Sequence, residues 1–296
     1  MNKILNFGSL NLDYTYNVGH FVKAGETLSA NALTVNCGGK GLNQSIAAAR
    51  AGAKVFHAGK IGKDGVILKE LLEKNGVNTD NVFLSGGANG HAIIQVSKDG
   101  QNCILLYPGA NREITEAEVD AVLSRFDRDD LIILQNEINN IPYLMTEAYK
   151  KGLKIVFNPS PITDELYGYP IEKAFLLVLN EIEGAALVGT ADPDEALKKL
   201  REKYPDTEIL LTLGENGSVY YGMGGATRQK AYPASVVDTT GAGDAMLGYF
   251  VASLIKGLTP ADALRRASAA AAITVSRRGA AASIPSADEV DGDEGA

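Results

Sequence analysis

The chain has 296 residues, 45 % hydrophobic and 22 % charged, with a formal net charge of −8. The length predicts one large α/β domain, or one domain with a small appendage, and ample chain for a core. The acidic balance excludes a nucleic-acid reader, which needs Lys/Arg patches, so an anionic substrate must meet local positive potential from helix N-termini or a metal.

In chain order, a short apolar strand is predicted over 3–8, and hairpin material over 11–36, with Tyr14, Tyr16 and Phe21 and turns at Gly19 and Gly25. "LNQSIAAARA" (42–51) reads as a helix stopped by Gly52. A strand at 54–58 and a helix through "GVILKELLEKNG", stopped by Gly76, follow. "HAIIQVS" and "NCILLYP" are two strands across an Asp99-Gly100 hairpin turn. From about 115 the rhythm alternates, with strands "DLIILQ", "LKIVFN", "AFLLVLN" and "EILLTLG" between helical patterns. Continuous apolar runs of this kind are strands covered on both faces. The pattern predicts a doubly wound, mostly parallel α/β sheet. "GSVYYG" and "ATRQKAY" suit an antiparallel edge, two helices cover about 243–256 and 260–276, and the acidic tail "DEVDGDEGA" reads as a frayed end. Residues 11–36 and 88–111 break the rhythm and predict a small separate sheet, a lid over one end of the main one. Cys37 and Cys103 are too few for a disulfide framework, and no CxxC is present. The start lacks a signal-peptide core and no apolar run reaches membrane length. A cytoplasmic protein with reduced thiols, and with neither membrane nor nucleic acid as partner, is expected.

"VVDTTGAGDAMLGYF" (236–250) opens a helix apolar nearly all round, hence buried. Its N-terminus offers unpaired N–H groups and the positive end of a dipole. Gly241, Ala242 and Gly243 let a ligand approach those groups, an anion hole suited to phosphate. Asp244 beside it either complements the helix dipole or accepts the proton of an attacking hydroxyl; the segment alone leaves both open. No GxxxxGKS or GxxxxGKT occurs, and "GAGDAM" lacks the third glycine of the dinucleotide fingerprint, which disfavours P-loop enzymes and nicotinamide dehydrogenases.

"NCGGKGLNQ" (36–44) places Gly38, Gly39, Lys40 and Gly41 ahead of a helix, with Asn43 in its first turn. Asn11 and Asp13 follow the first strand, at the carboxyl edge where open α/β sheets bind ligands. Asn with Asp is the donor–acceptor mix that grips vicinal hydroxyls. Taken singly, each is as well explained by a glycine turn or an Asx turn.

Together, "NLD", "GGKGLNQ", "NPSP" (158–161), "NEIE" (180–183), "TLGENG" (212–217) and "DTTGAGD" (238–244) stand in an order and spacing that resemble the PfkB/ribokinase family of sugar kinases, up to about residue 285. GAGD is specific for the family; GGKGxNQ with NxD points to its ribokinase branch. The resemblance implies a single kinase domain over 1–296, with the lid at 11–36 and 88–111. It implies Asp244 as general base and Gly241, Ala242 and Gly243 as the anion hole. The sugar would be held by Asn11, Asp13, Gly39, Lys40, Gly41, Asn43 and Glu137. For Glu137, in "LQNEIN", a helix cap is the other reading. Asn180 would face the phosphates of ATP, with Glu183 positioning Mg²⁺ through water. Thr212, Gly214, Gly217, Gly243 and Ser268 would receive the nucleotide. An activating K⁺ would lie near Asp238, Thr240, Thr274, Arg277, Gly279 and Ser283, mostly at backbone carbonyls. The lid implies a homodimer.

The chain departs from the family's usual pattern at Leu42, where alanine is common, and at Asn89-Gly90-His91, where Thr-Gly is frequent on the lid strand; "YTY" adds bulk after the NxD pair. His20, His57 and His91 have no metal-ligand spacing. The expected activity is ATP-dependent phosphorylation of a pentose's primary hydroxyl, O5 of ribose first. Deoxyribose, a ketohexose or a nucleoside are the alternative acceptors, and a non-catalytic sugar or nucleotide sensor is the alternative class.

Overall fold

A computed structural model of the chain describes residues 2–292. The chain begins with β1 (Ile4–Phe7), crosses to β2 (Asn11–Asn17) and β3 (Ala32–Gly38), and enters α1 (Lys40–Arg50). Next come β4 (Val55–Ile61), α2 (Val66–Lys74), β5 (Asn78–Leu84), β6 (Gly90–Val96) and β7 (Asn102–Tyr107). The alternating half holds α3 (Glu116–Leu123), β8 (Leu131–Gln135), α4 (Ile141–Lys151), β9 (Lys154–Asn158), β10 (Leu176–Asn180), α5 (Glu181–Val188), α6 (Pro193–Lys203) and β11 (Glu208–Thr212). Strands β12 (Ser218–Gly222) and β13 (Gly225–Gln229) precede α7 (Ala242–Ile255), α8 (Pro260–Val275) and α9 (Ala287–Gly292).

Two sheets form. The larger has nine strands in the order β13-β12-β11-β10-β9-β8-β1-β4-β5. Its strands from β11 through β5 are parallel; β12 and β13 are the expected antiparallel edge. Apolar runs alternate between two cores. Ile4, Leu131 and Ile133 face the layer holding α1 and α7, while Leu5, Ile132 and Leu134 face the layer holding α3 and α4. These are the doubly covered strands that the runs predict, and each fully buried Leu or Ile contributes about 1.5–3 kcal/mol. The smaller sheet, β3-β2-β6-β7, joins two antiparallel hairpins through a parallel β2–β6 pair. Among the described residues no helix is long and apolar enough to cross a membrane.

Several expectations change. Strand β5, "NTDNVFL", is an edge strand that the periodicity did not reveal; its polar start and the register shift between Phe56 and Ala58 break the alternation. Helix α1 begins at Lys40, two residues before the expected start, because Gly39 at φ 94° makes the corner. Gly19 and Gly25 lie in the long connection between β2 and β3, beyond the strand ends. The acidic tail does not fray from its start: Glu289 of α9 reaches back to accept from the Ser286 N–H and hydroxyl, and Val290 is buried; 293–296 lie outside the described residues. Tyr14, Tyr16 and Phe21 are half-buried. Exposed apolar side chains stand on both faces of the small sheet: Leu33, Val35, Ile93, Leu105 and Tyr107 share the face opposite Asp13, and Ile104 and Leu106 lie on the Asp13 face.

Candidate active site

Strand β1 pairs with β4 on one side and β8 on the other, so the chain winds outward from it in both directions. Open α/β sheets bind ligands beyond the carboxyl ends of strands at such a switch point. Here those ends deliver Gly8 and Ser9 after β1, and Asn136 and Glu137 after β8. Glu137 Oε2 accepts from the Ser9 hydroxyl and, at 3.1 Å, from the Lys40 backbone N–H. The carboxylate thus satisfies the first N–H of α1, across the sheet from its own strand. Burial raises its pKa above the ordinary glutamate value, against the opposing pull of Lys40. Gly41 lies so close to the β1 turn that a Cβ there would be 2.5 Å from the Ser9 nitrogen. Its glycine therefore seats α1 on the strand end.

Asn11 and Asp13 belong to the small sheet. Asn11 Oδ1 accepts from Asn111 Nδ2 at 2.7 Å, and Asn111 Oδ1 accepts from the Leu10 N–H at 3.0 Å. Asp13 is pushed up from 3.8 to about 7, chiefly by burial and then by the Glu137 charge. The chain passes between the sheets four times, at 8–10, at Gly39, after β5 and after β7, and the predicted sugar residues Asn11, Asp13, Gly39, Lys40 and Glu137 cluster around the first two crossings.

At the far side, Gly241 caps α7 in the left-handed region at φ 80° and Asp244 occupies the first turn. Asp244 is buried and its carboxylate turns toward α1: Oδ2 accepts from Asn43 Nδ2 at 2.9 Å and Oδ1 from Gln44 Nε2 at 2.8 Å. A cavity of about 210 Å³ opens beside it. Lys40, Asn180, Glu183, Thr212, Gly241, Gly243 and Asp244 line this cavity, as do Asn158 and Thr239; Ala242 begins the helix behind them. Burial alone would lower the Lys40 ammonium, but Asp244, Glu137 and Glu183 carry it above the ordinary lysine value. One fixed cation among three carboxylates, next to a helix N-terminus, suits an anionic ligand that brings its own counter-charge.

Asn180 and Glu183 also form the capping box of α5, with Glu183 N donating to Asn180 Oδ1 at 2.8 Å and Asn180 N donating to Glu183 Oε2 at 3.0 Å. Among the described residues no group of three or more His, Cys, Asp or Glu is placed to hold a metal ion. Gly214, Gly217 and Ser268 do not line the cavity. Gly217 is needed by the β12 hairpin, where a Cβ would be 2.1 Å from the Gln229 carbonyl oxygen, and Ser268 is buried in α8. Asp238 gathers Thr240 and Gly279: its Oδ1 accepts from Thr240 N at 2.9 Å and Oγ1 at 2.6 Å, its Oδ2 from Gly279 N at 2.9 Å. Burial would raise this carboxyl, and those donors take it below its ordinary value. The side chains of Thr274, Arg277 and Ser283 turn elsewhere, to the Ala270 carbonyl, Glu289 and the Ala280 carbonyl.

The departures at 42 and 89 lie outside the cavity. Leu42 is in the main core, and buried Asn89 ties the Gly62 N–H to the Leu10 carbonyl. His91 packs against Tyr14 and Tyr107 on the apolar face of the small sheet.

The family model of the pfkB family carbohydrate kinases matches residues 1–287. The chain belongs to this family. It is an ATP-dependent carbohydrate kinase with a ribokinase-like fold. Ribokinase of Haemophilus influenzae is 35 % identical across 98 % of this chain and 97 % of its own. Deoxyribokinase of Salmonella typhi is 30 % identical across 95 % of each. The crystal structure of Cryptococcus neoformans ribokinase in complex with ADP superposes with a TM-score of 0.88, at 34 % identity, covering 99 % of this chain and 100 % of that one.

Sequence reasoning missed Ser9, Asn111, Asn158 and Gln44 as site groups. Ser9 and Asn111 carry no spacing signal. Asn158 and Gln44 stand inside the quoted "NPSP" and "GGKGLNQ", so the motifs contained them without marking their task.

Proposed function

We propose that this kinase transfers the γ-phosphoryl group of ATP to the primary hydroxyl of a pentose, O5 of ribose, giving ribose 5-phosphate and ADP. The observation that carries the reading is the buried Asp244 carboxylate, held by two α1 amides at the mouth of the α7 N-terminus. The sugar lies toward Asn11, Asp13, Gly39, Lys40, Gly41, Asn43 and Glu137, one kinase domain closed by the small sheet as a lid. As O5 attacks the γ-phosphorus, its proton passes to Asp244 and the bond from the γ-phosphorus to the β,γ-bridging oxygen breaks, leaving ADP. Gly241, Ala242 and Gly243 offer N–H groups to the charge on the moving phosphoryl oxygens. Mg²⁺ would supply charge neutralisation at the β,γ-phosphates; Glu183, beside Asn180 on the cavity wall, would hold it through water, as suits a cation that keeps several of its waters. Thr212, Gly214, Gly217 and Ser268 receive the nucleotide, and Asp238 with the backbone of Thr240, Thr274, Arg277, Gly279 and Ser283 takes an activating K⁺.

Deoxyribose is the second reading, favoured by the likeness to a deoxyribokinase. The test is ADP release with ATP, Mg²⁺ and K⁺ against ribose, deoxyribose, fructose, psicose and nucleosides. Ribose is expected to give the highest kcat/KM; a higher value for another acceptor overturns the ribose assignment. Asp244→Asn is expected to fold and to lose about 10²–10⁴-fold in turnover; near-normal turnover removes Asp244 as the base.

A further inference from the structure

Four buried amides link the centre of the main sheet to Asp244, and the direction of every hydrogen bond among them is set by two backbone carbonyls. At one end Asn6 Nδ2 donates to the Gly41 carbonyl at 3.0 Å. A carbonyl only accepts, so Asn6 must turn Oδ1 the other way. That oxygen accepts from Gln135 Nε2 at 2.9 Å, and the second proton of the same nitrogen goes to Gln44 Oε1 at 2.7 Å. Gln44 is thereby left with Nε2 facing Asp244. At the other end Asn158 Nδ2 donates to the Val178 carbonyl at 2.9 Å. Asn158 must then present Oδ1 to Gln44, and it accepts from Gln44 Nε2 at 3.3 Å. Two anchors on different elements, α1 and β10, demand the same orientation of one glutamine.

The arrangement has a cost. Gln135 Oε1 is buried without a partner, and an orphaned buried acceptor costs about 1–3 kcal/mol. Gly8 makes the room for it, since a Cβ there would be 2.2 Å from that oxygen. Turning Gln135 over would set its oxygen against Asn6 Oδ1 and Gln44 Oε1, two acceptors. The orphan persists because its nitrogen is needed on both sides.

We propose that Gln44, oriented by this chain, is a positioning residue for phosphoryl transfer: it is locked as a donor to Asp244 Oδ1, so that the base stays an acceptor and keeps its other lone pairs for the substrate hydroxyl. The inference rests on the reading of Asp244 as the base. Gln44 is 1 % exposed and donates to a carboxylate, the kind of hydrogen bond that is about twice as strong as a neutral one. The other charged groups about Asp244 are Lys40 from α1, Glu137 beyond β8 and Glu183 from α5. None of them is altered by a change at Gln44.

The test compares Gln44→Glu, Gln44→Met and Asp244→Asn with the parent enzyme, in kcat, sugar KM, thermal midpoint and the pH profile of kcat/KM. Glu keeps the length and removes the donor toward Asp244; Met keeps the length and removes polarity, and serves if Glu does not fold. The expected result is a kcat loss of roughly 10–100-fold, the worth of one charge-assisted hydrogen bond. Sugar KM should stay within about 2-fold, a change well below that of one lost hydrogen bond. In Gln44→Glu the acidic limb of the pH profile should move to higher pH, because an added carboxyl group faces the base. A folded variant with parental kcat and pH profile overturns the proposal. So does a loss shared equally by kcat and KM with the acidic limb unmoved, which marks a packing role alone. If Asp244→Asn itself retains turnover, the reading of the base has failed, whatever the Gln44 variants do.

Discussion

Gly38 leaves the space that the Asp13 carboxylate occupies: a Cβ at 38 would lie 2.0 Å from Asp13 Oδ2. The two residues sit on adjacent antiparallel strands, with Asp13 registered to Asn36 and Gly38 to Asn11. Gly38→Ala is therefore expected to displace Asp13 while leaving the α7 end of the site intact. Sugar KM should rise roughly 10–100-fold, the worth of hydrogen bonds to a charged group, with a smaller effect on kcat. Steady-state kinetics with ribose checks it, and an unchanged KM would take Asp13 out of the sugar site.

Asp13 also gives the fold a pH dependence. Its pKa is about 7 in the folded chain against an ordinary 3.8, raised by burial and by Glu137. Between those values the folded chain holds a proton that the unfolded chain has released, so rising pH favours unfolding. The contribution of this group to stability is full below 3.8, is lost progressively up to about 7 and is level above. Asp13→Asn should gain stability relative to the parent as pH is raised from 5 to 7, measured by urea unfolding. Glu137, raised in the same direction, keeps part of the slope in the variant. A difference between the two proteins that does not vary with pH would contradict the shift.

Helices α1 and α7 touch where Gly248 meets Ala47. A Cβ at 248 would stand 2.4 Å from Ala47 Cβ and 2.8 Å from the Ala48 nitrogen. Overpacking a tight contact costs about 1–3 kcal/mol. Since α1 carries Asn43 and Gln44 and α7 carries Asp244, Gly248→Ala should lower stability by about that amount and lower turnover with it. Denaturant unfolding and kcat on one preparation check both; full stability with full turnover would show that the helices do not need this contact.

Five apolar side chains, Leu33, Val35, Ile93, Leu105 and Tyr107, are exposed together on one face of the small sheet, and a homodimer covering that face is the proposal. Leu105, 67 % exposed, is a direct probe. Sedimentation should give a dimer for the parent chain and a monomer for Leu105→Glu. A monomeric parent at micromolar concentration ends the idea.

Much of this molecule is legible in its sequence because the apolar runs of β8 to β11 are long enough to need cover on both faces, and because the first glycine of GAGD and those of GGKGxNQ stand where a side chain does not fit. What was not legible has physical reasons. Strand β5 is an edge strand beginning Asn-Thr-Asp, whose polar residues can face solvent or loop without the alternation that marks a half-buried strand. Helix α9 did leave a signal: Ser286 followed by Glu289 has the spacing of a capping box, and Glu289 Oε2 accepts from both the Ser286 N–H and its hydroxyl, though the surrounding charge pointed to fraying. The amide chain leaves none. Asn6, Gln44, Gln135 and Asn158 come from four elements and share no spacing, and a neutral amide looks the same in sequence whether it faces water or a carboxylate.

The chain crosses between its two sheets four times, at residues 8–10, at Gly39, after β5 and after β7, with Asp13 on the small sheet and Asp244 on a helix of the large one. In the proposed roles, the Asn11 and Asp13 part of acceptor recognition rests on different backbone from the proton removal at Asp244. A graft of the small sheet from a relative with another sugar preference, joined at those four crossings, would change the Asn11 and Asp13 side of the proposed sugar site while Lys40, Asn43, Glu137 and Asp244 stayed in place.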